Sequence, residues 1–119
     1  MMLSHTVERG VLVITVLEDP GIGGRAALLT QISDLVQGVR PSSVVIVLDE
    51  PAATEAAVSV VLRVHRLCSH LDLVTFVATH SAPARRLLDA NADTHGIRMV
   101  IHARAHTAIE TATALTTAA

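Results

Sequence analysis

Hydrophobic residues follow two different patterns along the chain. Short runs of consecutive aliphatic residues, such as VLVITVL at 11–17 and SSVVIVL at 42–48, are typical of strands buried on both faces of a sheet. Residues 3–8 alternate weakly between polar and apolar side chains, which favours an edge strand. The pattern predicts strands at 3–8, 11–17, 42–48, 71–78 and 97–103.

The segments between these strands place their hydrophobic residues three or four positions apart, which is typical of amphipathic helices. Gly38 and Pro41 are predicted to end the first helix, and Ser81 is predicted to cap the third. The Gly-, Pro- or Asn-containing stretches 18–24 and 91–96 are predicted to be loops. The predicted helices are residues 25–39, 54–68, 82–90 and 104–115.

The resulting order of elements is β-β-α-β-α-β-α-β-α. Strands that alternate with helices of this length predict an α/β fold with a central, mostly parallel sheet of about five strands and about four helices. The 119 residues contain no linker or internal repeat and are predicted to form a single domain, with its core at about 5–115 and a frayed tail at 116–119.

Composition narrows the range of functions. The formal net charge is −2, Tyr and Trp are absent, and Phe76 is the single aromatic residue besides histidine, so nucleic-acid binding is not expected. A single cysteine, Cys68, excludes an internal disulfide. We expect a cytoplasmic protein with no membrane segment, because no apolar run reaches about 18 residues and the N-terminus is unlike a signal peptide.

Two segments carry a resemblance to a known family. VSVVLRVHRLC at 58–68 follows the third strand, and SAPARRLLDANADTHGIRMVI at 81–101 is similar to a Ser-Pro-x-Val-Arg-Arg-Leu-Leu helix, a Gly-containing loop and a fifth strand. Together with the element order, they resemble the STAS domain of bacterial anti-sigma factor antagonists over residues 5–115. The resemblance implies a non-catalytic regulator of transcription that binds an ATPase-type anti-sigma kinase or other STAS proteins.

In that family, an Asp-Ser-Ser-Gly motif opens the second helix, and the kinase phosphorylates its second serine to block binding. The matching positions here are Thr54, Glu55, Ala56 and Ala57, so alanine stands at the acceptor position. A second family signature, Glu-Leu-Asp, falls on Asp19, Pro20 and Gly21. Its third position, an aspartate in the family, is therefore glycine here.

Two interpretations of this departure are open: either the domain is locked in its binding-competent state, which we favour, or Glu55 mimics a phosphate weakly. Ordinary structural roles explain two of these residues better than a phosphate-related role does. A glutamate in the first turn of a helix, such as Glu55, usually complements the helix dipole, and a threonine before a helix, such as Thr54, is a typical N-cap. Thr54 as an alternative phosphoacceptor also stays open.

We predict a partner-binding surface on the second helix, formed by Thr54, Glu55, Ala56, Ser59 and Arg63. Neighbouring loops contribute Asp19, Gly21, His80 and Ser81. The alternative is a scaffold that assembles with itself or with STAS paralogues, for which a missing phosphoacceptor is equally suitable.

A third hypothesis is a nucleotide-binding or small-molecule-binding protein. GIGGRA at 21–26 fits the Gly-x-Gly-x-x-Ala fingerprint, but the acid expected about 20 residues later is only approximated by Asp49, so a flexible turn is the better interpretation. The seven histidines lack metal-ligand spacing, and His65 lies on an apolar helix face, typical of a core or rim residue. No catalytic triad can be assembled. We therefore predict no enzyme activity, no metal and no cofactor.

Overall fold

A five-stranded sheet forms the centre of the molecule, with its strands arranged in chain order. The structure is a computed structural model that describes residues 2–91 and 99–118. The first strand pairs antiparallel with the second, and all further pairs are parallel. The strands are β1 (Leu3–Glu8), β2 (Val11–Val16), β3 (Ser43–Leu48), β4 (Val74–Thr79) and β5 (Val100–His102).

Helices cover both faces of the sheet unequally. They are α1 (Gly21–Val39), α2 (Glu55–His70), α3 (Ala82–Asn91) and α4 (Ala105–Ala118). The strands β2 to β5 follow one another in one direction, and right-handed crossovers therefore place α1, α2 and α3 on the same face. The last helix, α4, packs on the opposite face. No described helix has the length and apolar character needed to cross a membrane.

Two hydrophobic clusters, one on each face, hold the sheet between the helices. On β3, Val44 and Ile46 belong to the cluster under α1 and α2, whereas Val45 belongs to the cluster under α4. Residues on a strand point alternately to opposite faces, so a strand covered on both sides needs an unbroken aliphatic run. This requirement explains the sequence of β2, β3 and β4.

The predicted element order is confirmed, but the start of α1 differs. Residues 18–24 were predicted to be a loop, which is confirmed for 18–20 but wrong for 21–24, because the helix begins at Gly21. Pro20 has φ −67° and ψ −22°, Gly21 follows with φ +63°, which glycine adopts without strain, and the Asp19 carboxylate accepts a hydrogen bond from the Gly21 N–H. Burial of Leu28 and other residues further along α1 offsets the low helix propensity of its glycines.

The predicted end of α1 at residue 39 is confirmed, whereas the end of the last helix differs. Gly38 lies inside α1, whose last residue is Val39, and Arg40 follows in a left-handed conformation (φ 53°). The last helix continues to Ala118, beyond the predicted end at residue 115, in a sequence rich in alanine, the strongest helix former. Residues 92–98, with His95, most of the predicted loop and the start of the predicted fifth strand, lie outside the described residues.

Cys68 and His65 occupy the core side of α2. His65 is buried, as its position on the apolar face predicts. Cys68 is a buried free thiol. Burial raises the pKa of this thiol and outweighs the opposing effect of the Thr75 hydroxyl. A buried, protonated thiol is a poor nucleophile, so Cys68 is a packing residue rather than a reactive one.

Candidate functional site

The carboxyl ends of β2 and β3 bring the starts of α1 and α2 together. The Asp49 N–H, just after β3, donates a hydrogen bond to the Val16 carbonyl at the end of β2 (N to O, 3.2 Å). A short 3₁₀ turn, Glu50–Ala52, then leads into α2. Segments that follow neighbouring parallel strands emerge at one edge of the sheet, which is where ligands bind in open α/β folds.

Asp19 and Thr54 connect the two helix starts directly. Asp19 Oδ1 accepts hydrogen bonds from the Gly21 N–H and from the Thr54 hydroxyl, both 2.9 Å between heavy atoms. The Thr54 hydroxyl oxygen in turn accepts a bond from the Ala57 N–H at 3.2 Å. Thr54 is therefore the N-cap of α2, as predicted, and its hydroxyl group both donates and accepts.

Replacing Thr54 with alanine is expected to lower the free energy of unfolding by about 1–2 kcal/mol, since the cap is lost and Asp19 loses a donor. Thr54→Ser, which keeps the hydroxyl, should stay within a few tenths of a kcal/mol of the wild type. Urea denaturation followed by circular dichroism measures both. Equal stability of Thr54→Ala and the wild type would contradict the capping role.

The matched control for this prediction is Ser81→Ala. Ser81 caps α3 by accepting the Ala84 N–H at 3.2 Å, but no hydrogen bond to another helix start is described for its hydroxyl. Its loss should therefore cost about 1 kcal/mol, the usual value of an N-cap alone. A larger loss for Thr54 than for Ser81 would measure the bond to Asp19.

The position that the family resemblance assigns to the phosphoacceptor carries only a methyl group. Ala56 is the second residue of α2 and is partly buried, between exposed Glu55 and buried Ala57. Glu55 lies in the first turn of α2, where a carboxylate is stabilised by the positive end of the helix dipole. The start of α2 thus offers a surface of small side chains, next to the carboxylates of Glu55 and Asp19.

A groove runs from this helix start between α1 and α2. Ser59 and Arg63 of the predicted surface line it from α2, facing Ile22, Arg25 and Leu29 of α1. Its volume is about 160 Å³. Ile22 is the lining residue closest to the start of α1, and 82% of its surface is exposed. We call this feature the Arg25–Arg63 groove.

Ile22 and Arg25 were not among the candidate residues predicted from the sequence. Both lie in or next to the stretch that was predicted to be a loop, and only the helical start at Gly21 places them on one stripe with Leu29. The signal was present in their spacing: positions 22, 25 and 29 are three and seven residues apart, as on one helix face. Three glycines in the same stretch concealed it.

His80 and Ser81 lie apart from the Asp19–Thr54 contact. They follow β4, where His80 is exposed and the Ser81 N–H donates to the Thr79 hydroxyl at 3.2 Å. Among the described residues, no hydrogen bond joins either of them to α2. The polar groups of Ser81 form the turn into α3, and a contribution of either residue to the partner-binding surface stays a prediction.

The Gly-rich segment is not the flexible turn that was the better interpretation of the sequence, because it is helical. Residues 21–26 form the first turns of α1, and a Cβ atom placed on Gly21 or Gly23 would meet no atom within 4 Å. In the fingerprint, one glycine permits close packing of the helix on the strand, and no protein atom approaches Gly21 or Gly23 in this way. The adjoining groove, at about 160 Å³, is also small beside the roughly 300–1,000 Å³ of ligand pockets.

Within residues 2–91 and 99–118, no three His, Cys, Asp or Glu side chains form a group that could hold a metal ion. The polar groups at the strand ends are instead engaged in local hydrogen bonds, as Asp19, Thr54, Thr79 and Ser81 show. Turns and caps account for the residue types found there, in agreement with the simpler interpretation of the sequence.

Comparison with known proteins places the fold. The chain is an α/β domain with the STAS fold, which confirms the fold that the sequence resemblance implied. A serine-to-glutamate variant of RsbS from Moorella thermoacetica has a similar structure, with a TM-score of 0.75 and 14% sequence identity over 98% of this chain and 99% of that chain. No family model matches the sequence, and no curated protein matches it.

Proposed function

We propose that the protein is a non-catalytic, cytoplasmic regulatory module that resembles an anti-sigma factor antagonist and docks an anti-sigma factor. The docking surface comprises the start of α2, the Asp19 loop and the exposed first turn of α1. The observation that carries the proposal is the exposed Ile22 beside the hydrogen-bonded Asp19–Thr54 contact. An exposed apolar side chain next to polar side chains that hydrogen bonds hold in place is suited to a protein interface.

The apolar part of this surface supplies affinity. Burial of a fully exposed isoleucine side chain is worth roughly 1.5–3 kcal/mol, and Ile22 is 82% exposed in the isolated domain. The Asp19 bond holds the loop that leads into α1, so little conformational entropy is lost there when a partner binds. Small residues at the start of α2, Ala56 and Ala57, allow a partner to approach closely.

The missing phosphoacceptor defines how binding is controlled. Phosphorylation adds about −1.5 to −2 charge and three acceptor oxygens, and Ala56 has no atom to carry them. The Thr54 hydroxyl is already engaged with Asp19 and with the Ala57 N–H. The domain is therefore constitutively competent to bind, and binding is regulated through the state or the amount of the partner.

Ala56→Asp tests the docking surface, because it places a charge where the family carries phosphate. The wild-type domain is used to capture its partner from a lysate of its native host with and without ATP, and the recovered anti-sigma factor is purified. Calorimetry should then show that Ala56→Asp binds it at least about tenfold more weakly, which is about 1.4 kcal/mol. An aspartate in the first turn of α2 complements the helix dipole, so the variant should stay folded.

The matched control is Ala90→Asp, an exposed alanine near the end of α3 and outside the docking surface. It adds the same charge, and the affinity should be unchanged. Unchanged affinity of Ala56→Asp would exclude the start of α2 as the docking surface.

A scaffold function is the second candidate, and the open edge of the sheet favours it. Residues 4–8 of β1 are exposed, and among the described residues no strand pairs with the outer edge of β1. Such an edge can add a strand from another molecule. Capture of STAS proteins alone, with a concentration-dependent dimer in light scattering, would replace the anti-sigma proposal with this one.

A further inference from the structure

We propose that the Arg25–Arg63 groove is a socket for one carboxylate side chain of the protein partner, presented next to an apolar residue that covers Ile22. This inference rests on the proposed docking function and specifies the chemistry of the segment that docks. The occupant is an acidic, apolar segment of a protein, rather than a nucleotide or a free anion.

Within residues 2–91 and 99–118, the two arginines that line the groove are not paired with an acidic side chain. Neither has an acidic residue three or four positions away on its own helix, the spacing that forms helical ion pairs. Within the described part of the chain, neither guanidinium forms an ion pair or a hydrogen bond. Two guanidinium groups facing one groove repel each other, and a carboxylate between them relieves the repulsion through paired N–H···O bonds.

The size of the groove selects a side chain. Its volume of about 160 Å³ is about half of the roughly 300 Å³ at which pockets for small-molecule ligands begin, so it suits one side chain better than a whole ligand. Buried Val60 and partly buried Leu29 line it beneath the charges, and Ser59 adds a hydroxyl donor. The methylene groups of the entering side chain therefore contact apolar atoms while its carboxylate meets three donor groups.

The surrounding charges fix the direction in which the segment lies. Glu55 stands one helical turn above Ser59 and two above Arg63, and Asp19 lies at the same end of α2. A partner carboxylate is therefore repelled at the helix start and attracted in the groove. Ile22, the lining residue closest to the start of α1, requires an apolar residue beside that carboxylate. Complementary and opposing charges of this kind determine the register of an interface.

The probe is a phage library of random twelve-residue peptides, selected against the folded, immobilised domain. We expect the recovered peptides to share an aspartate or glutamate with an apolar residue one to four positions away. Synthetic versions should bind Arg25→Glu or Arg63→Glu at least tenfold more weakly than the wild type. Amide NMR shifts should locate them at residues 22–29 and 59–63.

Arg66→Glu is the matched control, because Arg66 is exposed on α2 but does not line the groove. It should bind the peptides like the wild type. Replacing the peptide acid with lysine should abolish binding to the wild type and restore it to the doubly substituted Arg25→Glu, Arg63→Glu domain. Circular dichroism checks that each variant is folded.

The socket is overturned if the recovered peptides lack an enriched acid, or if they bind the arginine variants as tightly as the wild type. It is also overturned if inorganic phosphate at the same concentration displaces them, since the groove would then be a free-anion site. If Ala56→Asp weakened peptide binding but the arginine substitutions did not, the socket would be overturned and the proposed docking surface would be kept. Peptides that map outside both would overturn the two together.

Discussion

Phe76→Ala is expected to lower the free energy of unfolding by about 3–5 kcal/mol, the usual cost of truncating a buried phenylalanine. Phe76 is fully buried on β4 and is the largest buried side chain of the cluster between the sheet and α4. Its neighbours in that cluster include Ala108 and Ala112, whose small side chains cannot move far enough to fill a cavity. Typical domains have only 5–15 kcal/mol of stability, so the variant should be close to unfolding.

Chemical denaturation followed by circular dichroism measures this loss, with Phe76→Leu as the control. Leucine fills most of the volume and should cost less than half as much. The ring of Phe76 also stacks on His102, with centroids 6.2 Å apart and an interplanar angle of 26°. A loss of less than about 1 kcal/mol for Phe76→Ala would mean that α4 does not anchor on this face as described.

The same substitution at two isoleucines of α1 should have opposite consequences. Ile32 is fully buried against the sheet, and Ile32→Ala is expected to cost about 2–5 kcal/mol of stability. Ile22 is 82% exposed, and Ile22→Ala should change stability by no more than about 0.5 kcal/mol. For partner binding, Ile22→Ala should have the larger effect, since only Ile22 lies on the proposed docking surface.

Denaturation midpoints and calorimetric affinities for the captured partner, measured on both folded variants, check this pair. Ile22→Ala should weaken binding by about 1–3 kcal/mol while its denaturation midpoint stays unchanged. Ile32→Ala should retain affinity at temperatures where it is folded. If Ile22→Ala bound the partner like the wild type, the exposed turn of α1 would lie outside the interface.

The fold could be predicted from the sequence because the aliphatic runs of β2, β3 and β4 leave few alternatives. A strand such as SVVIVL must be covered on both faces, and the helices between the strands supply that cover. Helix ends were less accessible. Gly21, Gly23 and Gly24 have low helix propensity, yet α1 includes all three, because packing of Leu28, Ile32 and Val36 further along the helix decides its stability.

The candidate site was predictable only where local chemistry determines it. The cap at Thr54 follows from residue type and position, and the structure confirms it. The bond from Thr54 to Asp19 spans 35 residues and depends on how two loops meet at the sheet edge, which no local pattern encodes. Ile22 and Arg25 were missed for the related reason that their common face exists only once the start of α1 is known.

Because α4 lies on the face of the sheet opposite α1 and α2, the domain can be immobilised through α4 with its docking surface facing the solution. Glu110 is exposed on α4, whereas the native thiol, Cys68, is buried. In a Glu110→Cys variant, a maleimide group should therefore couple to the new thiol while the domain stays folded. Molecules anchored to a sensor chip through this side would all present α1 and α2 to the solution in one orientation. The same linkage made through Arg25→Cys would turn the docking surface toward the chip.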